Sequence, residues 1–274
     1  MNGKVGRTVL LEWLPSLQDQ HRPLFTIVNG ENAAGGLGLT PVLAEEMYAA
    51  GVDAITLGNH AFNKRDIGPY MDRMTPGGKG DTGRAIVRPI NMANAAPGRG
   101  WTSVKKDGIE LCVINLCGRV NMEPHYDDPF WAWDRATAAL PSKHRFVDFH
   151  AEATSEKVAF GWHVDGRATA VVGTHTHVQT ADERVLPGGT AYITDVGMCG
   201  PRDGVIGMDR EIILRRFRSG LPERFESASG PGTVCGVVVT ADRATGRALS
   251  IRRVLVGDVP NRGESPIGDA ARPS

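Results

Sequence analysis

Apolar residues along this chain fall into short runs, and the spacing inside each run separates helices from strands. Leu10, Leu11 and Leu14 recur at helical spacing and predict a helix over Thr8–Gln20, with Pro15 as a point where it could kink. Compact apolar runs at Leu24–Val28, Ala54–Leu57, Leu111–Leu116, Phe146–Phe149 and Ala168–Val172 predict buried strands. Leu43–Ala50 and Ser155–His163 predict helices, the second with Thr154 as its N-cap. Thr190–Thr194, Thr233–Thr240 and Leu249–Val256 are β-rich and predict further strands, separated by glycine and charged turns. Gly77–Gly83 and Asp127–Trp131 read as loops, and Asp258–Ser274, rich in Pro, Gly, Arg and Asp, reads as a disordered tail. Strands alternating with helices and then followed by more strands predict an α/β layered domain over residues 1–257 with a central mixed sheet.

Composition narrows the function classes. The chain has 274 residues, 41% hydrophobic and 23% charged, an ordinary globular balance that permits a sizeable core. Its 31 Lys and Arg residues offset 31 Asp and Glu residues, which gives no electrostatic reason to expect DNA or an anionic membrane as partner. A small phosphate compound stays compatible with that balance, because metal charge can attract it locally. Cys112, Cys117, Cys199 and Cys235 show no C-x-x-C spacing, so neither a zinc ribbon nor a redox pair is indicated. No stretch approaches a membrane span and no signal-peptide core opens the chain, so the expectation is a reduced, cytoplasmic, soluble protein.

The chemistry is concentrated where apolar runs end. Phe25–Val28 leads into Asn29-Gly30-Glu31-Asn32, and Ala54–Leu57 into Gly58-Asn59-His60. Phe146–Phe149 ends at His150, and Ala170–Gly173 leads into Thr174-His175-Thr176-His177. Ligands of α/β sheets bind beyond the carboxyl ends of strands, so the four clusters could converge on one site. Taken singly, each has an ordinary reading as turn chemistry, and residues 29–36 match neither a dinucleotide fingerprint nor a Walker loop. His175 and His177 carry more weight, because residues i and i+2 of extended chain project to the same side. Together, imidazoles, a carboxylate and an amide oxygen suit Mn, Fe or Zn better than Mg or Ca. A carboxylate such as Glu31 can bridge two cations, and two metals can hold a phosphate and lower the pKa of bound water. His60, beside Asn59 but not needed as a ligand, is then placed to donate a proton or hydrogen bond to the phosphoryl group. For substrate contacts, Arg119, Lys157, Arg202 and the Asn115 region could meet phosphate, against a default reading as surface cations. Trp101, Phe130, Trp131 and Trp133 could stack a base, against a default reading as packing residues.

At these residues the sequence resembles the YmdB-like family of calcineurin-like metallophosphoesterases. The matching segments are Asn29–Gly38, Thr56–Ala61, Arg88–Asn91, Asn115–Arg119, Asp148–Lys157, Gly173–His177 and Thr194–Gly197, in the family's order. Ala61 replaces the acidic residue usual in the wider superfamily, as in the YmdB-like branch. The resemblance implies a four-layer α/β/β/α sandwich, a dinuclear iron or manganese centre, and phosphodiesterase activity toward cyclic nucleotides, notably 2′,3′-cyclic AMP. It implies Glu31 as the bridging ligand with Asn32 beside it, Asn59, His150 and His175 on one metal, His177 on the other, and His60 as the catalytic histidine. It also allows a homo-oligomer.

Members of that family open with a β-strand ending in Gly-Asp, and the resemblance makes that aspartate a metal ligand. This sequence begins Met1-Asn2-Gly3, and Glu12 and Asp19 lie on the predicted helix, so the family's first strand is expected to be absent. Two expectations follow: a natural protein extended at its N-terminus with an intact site, or a chain whose second metal binds weakly. The weakened site keeps open a second function class, a regulatory protein on the same fold. A single-metal hydrolase of amides or esters is a third, opposed by the amide ligand Asn59, which is unusual in zinc sites of that kind.

Overall fold

Residues 1–74 and 84–258 are described by the computed structural model, so the Gly77–Gly83 loop and residues 259–274 of the expected tail lie outside the described residues. In chain order the elements are α1 (Gly3–His21), β1 (Ile27–Asn29), α2 (Pro41–Ala49), β2 (Ala54–Thr56), α3 (Ile67–Arg73), β3 (Ala85–Val87), β4 (Trp101–Lys106), β5 (Ile109–Cys117) and α4 (Pro129–Thr137). Then come β6 (His144–His150), α5 (Thr154–Val164), β7 (Ala170–Thr174), β8 (Arg184–Val185), β9 (Ala191–Ile193), β10 (Gly200–Pro201), α6 (Arg210–Ser219), β11 (Gly232–Ala241) and β12 (Ala248–Gly257).

These strands form three sheets where the sequence pattern suggested one. β1, β2 and β3 pair in parallel, and β10, β11 and β12 pair antiparallel. The third sheet has the order β4-β5-β6-β7-β9-β8, with β5, β6, β7 and β9 parallel and an antiparallel strand at each edge. Sheet membership depends on long-range pairing, which short apolar runs do not encode.

The period-2 alternation of side chains assigns the layers. Cys112, Ile114 and Leu116 of β5, Val147 and Phe149 of β6, and Val171 of β7 face one cluster with Trp133 of α4 and Phe160 of α5. Alternate residues of the same strands face the other way: Leu111, Val113 and Phe146 meet Ala54, Ala85, Val87 and Ile27 of the first sheet. Ala170, Val172, Ala191 and Ile193 likewise meet Val237, Val239 and Ile251 of the β11–β12 hairpin. Beyond the smaller sheets, Ile55, Ile86 and Val234 pack on Leu10 and Leu14 of α1, Met47 of α2 and Met71 of α3. The order is therefore helices, two small sheets, one large sheet, helices: the four-layer α/β/β/α sandwich. Strands covered on both faces explain why the sequence shows continuous apolar runs.

Several local readings need correction. α1 begins at Gly3, five residues before the predicted start at Thr8, and α5 begins at Thr154 itself, with the extended Ala153 as N-cap and no side-chain cap. Asp127–Trp131 is not all loop, because Asp128 accepts the Phe130 and Trp131 N–H groups at 2.8 and 3.2 Å and starts α4 at Pro129. α3, β3, β4 and α6 escaped the pattern: β3 is only three residues long, and α6 buries Ile213 alone. Among the described residues no strand precedes α1. Asn2 forms a parallel bridge to Asn32, and the Met1 amino group donates to the Asn29 carbonyl at 3.0 Å. No helix among the described residues is long and apolar enough to cross a membrane.

Phe160 stacks on Phe149 at a centroid distance of 4.4 Å and is fully buried between α5 and the large sheet. Phe160→Ala is expected to lower unfolding stability by about 3–5 kcal/mol, read as a shift in the denaturant midpoint with an unchanged slope.

Candidate metal centre

The face of the large sheet that meets the first sheet changes character toward the strands' carboxyl ends. Along β6, Phe146 is followed on the same face by Asp148 and then His150; along β2, Ala54 is followed by Thr56; along β1, Ile27 is followed by Asn29. These polar residues bond across the gap. Asp148 accepts from Asn29 Nδ2 at 2.9 Å and Thr56 Oγ1 at 2.5 Å on one oxygen, and from Thr174 Oγ1 at 2.6 Å on the other. All four sequence clusters are thereby drawn together, from the ends of strands in two facing sheets.

Glu31 lies in the turn after β1, where its N–H is taken by Asn29 Oδ1 at 3.1 Å. Its carboxylate is fully buried, and Oε1 accepts the His60 N–H at 2.8 Å. Gly58 makes room for it: a Cβ there would stand 2.6 Å from Glu31 Oε2 and from the His150 ring. Asn59 donates Nδ2 to the Glu123 carbonyl at 3.3 Å, which turns its Oδ1 toward His150 Nε2 at 2.9 Å. His175 Nδ1 is 3.0 Å from the same His150 Nε2, and Glu31 Oε2 is 2.9 Å away. At the other end of the cluster, Asn32 Nδ2 is 3.2 Å from His177 Nε2. His60, the residue expected to be catalytic, is half-buried beside Asn59, with its backbone fixed on Glu31.

The hydrogen bonds dictate tautomers. The single hydroxyl proton of Thr174 goes to Asp148, so Thr174 Oγ1 can only accept from His150 Nδ1, 2.9 Å away. His175 Nε2 faces Glu152 Oε2 at 3.1 Å, and His177 Nδ1 faces the Ile206 carbonyl at 2.8 Å. Each of the three histidines therefore has its outer nitrogen on an acceptor and its inner nitrogen turned to the cluster. Three acceptors crowd His150 Nε2, where one proton could serve only one of them. Glu31 Oε2 is buried and has no hydrogen-bond donor among the described residues, so its 2.9 Å approach to His150 is a contact without hydrogen-bond geometry. Separations near 3 Å are those of neighbouring donors around a small cation with bonds of about 2.1 Å, so these residues fit a metal. Counting His, Cys, Asp and Glu alone, no three form such a group among the described residues; the carboxamides of Asn59 and Asn32 complete its two ends.

Electrostatics agree. Burial would raise the Glu31 carboxyl, but His150 and the His60 N–H bring it down to about 2. Burial, helped by His150, lowers His175 to about 4, and burial also lowers His177, so both rings are neutral near neutral pH. Burial works against a charged His150, yet Glu31 and Asp148 outweigh it and move its pKa upward.

Sequence reasoning missed Asp148, Thr174 and Glu152. Asp148 had a signal, being a carboxylate two residues before His150 on the same strand face. His175 and His177 do project to different ends, because their φ values of 99° and 65° are left-handed and not extended. Lys157 is no surface cation; it is buried on Asp195 at 2.8 Å. Asn115 and Trp133 are also buried, and Arg202 pairs with Asp203. Arg119 lines a cleft of about 510 Å³ that opens on the cluster, together with Asn59, His175, Asn121, Glu123 and His125. A second cleft of 510 Å³ between Glu110, Lys143, His144 and Arg243 holds none of the cluster.

Residues 1–254 match the model of the family described as YmdB-like protein. The chain belongs to the YmdB-like family. It is 51% identical over 258 residues to the 2′,3′-cyclic-nucleotide 2′-phosphodiesterase of Bacillus subtilis, covering 93% of this chain and 94% of that protein. Among solved structures, a hypothetical protein from Thermus thermophilus superposes with a TM-score of 0.85 at 36% identity, covering 93% of this chain and 96% of that one. A phosphatase from Mycoplasma pneumoniae gives 0.85 at 34% identity, covering 93% and 90%. The YmdB-like fold and the facing-sheet cluster thus occur in one chain.

A cation held at the inner end of His150 would compete with a proton for Nε2. Because the pKa of His150 is raised, the proton is held below that value and lost above it. Metal binding should therefore release a proton, and affinity should fall by up to about tenfold per pH unit as pH drops through that pKa. Calorimetry with Mn²⁺ in buffers of different protonation enthalpy measures both; an affinity that does not weaken with falling pH contradicts the assignment.

Proposed function

We propose that this chain is a metal-dependent phosphoesterase that hydrolyses phosphodiesters, with 2′,3′-cyclic nucleotides such as 2′,3′-cyclic AMP as substrates. The observation that carries this reading is the set of three histidines, each with one nitrogen on an outer acceptor and the other turned inward: His150 onto the buried Glu31 Oε2, His175 onto His150, and His177 onto Asn32. The name of the Bacillus subtilis relative supports the substrate class. Asn59, His150 and His175 would hold one ion, Asn32 and His177 the other, with Glu31 between them. Oxygen and imidazole donors without thiolate suit iron or manganese. When bound, two such ions supply charge that polarises the phosphoryl group and lowers the pKa of water.

The chain's own residues supply the rest. Water adds to phosphorus, one ester P–O bond opens, and the departing oxygen takes a proton. His60 would give it, a role supported by its backbone N–H on Glu31 and by its place beside Asn59. Arg119 and His125 border the cleft in which the nucleoside would lie.

His60→Ala should lower turnover of 2′,3′-cyclic AMP by about 10²–10⁴-fold while metal content, read by elemental analysis, stays unchanged. His150→Ala and His175→Ala should lower both. Equal metal loss in all three variants would remove the role assigned to His60. Failure of Mn²⁺ or Fe²⁺ to restore hydrolysis after chelation would overturn the metal reading itself.

A further inference from the structure

We propose that Asp195, charge-balanced by Lys157, is the positioning residue that holds the His175-Thr176-His177 turn in the shape that presents its two imidazoles to opposite ends of the cluster. The inference rests on the metal reading of the site and adds two residues that make no contact with the cluster's donor atoms.

The turn has a backbone that side-chain-bearing residues rarely adopt. His175 and His177 both have positive φ, 99° and 65°, and such conformations persist only where the surroundings enforce them. What enforces this one is Asp195, just beyond the end of β9. Its Oδ2 accepts both the backbone N–H of Thr176 at 3.1 Å and the Thr176 hydroxyl at 2.7 Å. Thr176 is the residue between the two histidines, so one carboxylate oxygen grips the turn at its centre by two donors. The same oxygen accepts Lys157 Nζ at 2.8 Å, and Oδ1 accepts the Gly197 N–H at 2.8 Å.

Asp195 is itself immobilised. Its N–H donates to Thr180 Oγ1 at 3.0 Å, and its carbonyl accepts the Thr180 N–H at 3.0 Å. The strands on either side are too close for a side chain: a Cβ on Gly173 would stand 1.7 Å from the Thr194 carbonyl oxygen. Lys157 and Asp195 are 1% and 0% exposed, so neither can serve as a surface charge. Four donors, one of them a cation, require a carboxylate, and a buried carboxylate requires the cation. Lys157 comes from the first turn of α5, seven residues beyond His150 at the end of β6, which ties the turn to the other half of the cluster.

A purely structural ion pair makes a different prediction. Replacing such a pair by neutral groups of similar shape is commonly near neutral and would act on the whole fold, not on one turn. Two variants separate the readings. Thr176→Val removes the hydroxyl grip and leaves the ion pair intact, and the double variant Lys157→Met with Asp195→Asn removes both charges together.

Hydrogen exchange of the metal-free protein over residues 174–178 and titration with Mn²⁺ are the two measurements. Both variants are expected to exchange at least about tenfold faster in that segment with α5 and β6 unchanged, and to bind Mn²⁺ at least about tenfold more weakly. Unaltered protection of the segment, or a loosened segment with wild-type Mn²⁺ affinity, would overturn the proposal. Should the double variant not fold, Thr176→Val carries the test by itself. A wild-type protein whose turn is protected yet takes up no Mn²⁺ would sink the metal reading, and the proposed consequence for affinity with it, while leaving the grip on Thr176 standing.

Discussion

The Asp148 carboxylate is the interaction on which the rest of the arrangement depends. It lies in the middle of a four-layer protein, 1% exposed, and burial pushes its pKa up against the pull of His150 and its donors. A buried carboxylate without partners is costly, and this one is offset by donors from three other segments, at residues 29, 56 and 174. Those donors come from both facing sheets, so satisfying the charge fixes how the sheets meet. The Thr174 hydroxyl then passes the constraint to His150, because a hydroxyl that donates to Asp148 can only accept from the imidazole. Fold and the orientation of the His150 ring are in this way set by one buried charge.

Two glycines show how little space the arrangement leaves. At Gly58 any side chain would collide with Glu31 and His150, and at Gly173 with the Thr194 carbonyl. Neither glycine is needed for a left-handed backbone; both are needed for close approach. The polar layer is reached gradually along each strand, from Phe146 through Asp148 to His150, so the apolar contact between the sheets excludes water below the cluster while its outer end opens to the cleft at Arg119. Cleft and cluster share Asn59 and His175, and Asn59 is oriented by the Glu123 carbonyl of the cleft wall.

Much of this was legible in the sequence, for definite reasons. Glu31, Asn59, His150 and His175 each follow an apolar run, and parallel strands end together, so their convergence followed from pattern alone. That they come from two sheets did not, since pairing is non-local. Asp148 is a charge in an apolar run, but its partners lie up to 119 residues away and none is unusual by itself, so its role was missed. The alternation argument for His175 and His177 failed because Asp195, eighteen or more residues downstream, imposes a left-handed turn that local propensity disfavours. The Ile206 carbonyl that orients His177 is a backbone group and leaves no trace in residue types. Lys157 read as an exposed cation because nothing local announces its burial on Asp195.

The three carboxylates Asp148, Glu152 and Asp195 share one logic, although they act by different routes. Asp148 works through Thr174 on His150, Glu152 acts directly on His175, and Asp195 grips the backbone between His175 and His177. Each fixes the outside of an imidazole or its chain, leaving Asn59 Oδ1, His175 Nδ1 and Glu31 Oε2 all within 3.0 Å of His150 Nε2. One proton at that nitrogen can serve only one of the three acceptors, so the protein holds a locally unfavourable arrangement that its surrounding hydrogen bonds sustain. A cation held by the cluster would relieve that crowding in the folded state alone. Binding and folding would then be linked, and the stability gained would grow with the logarithm of free metal once its concentration exceeds the dissociation constant. The same residues that would make the site reactive would make the folded chain more stable when it is filled.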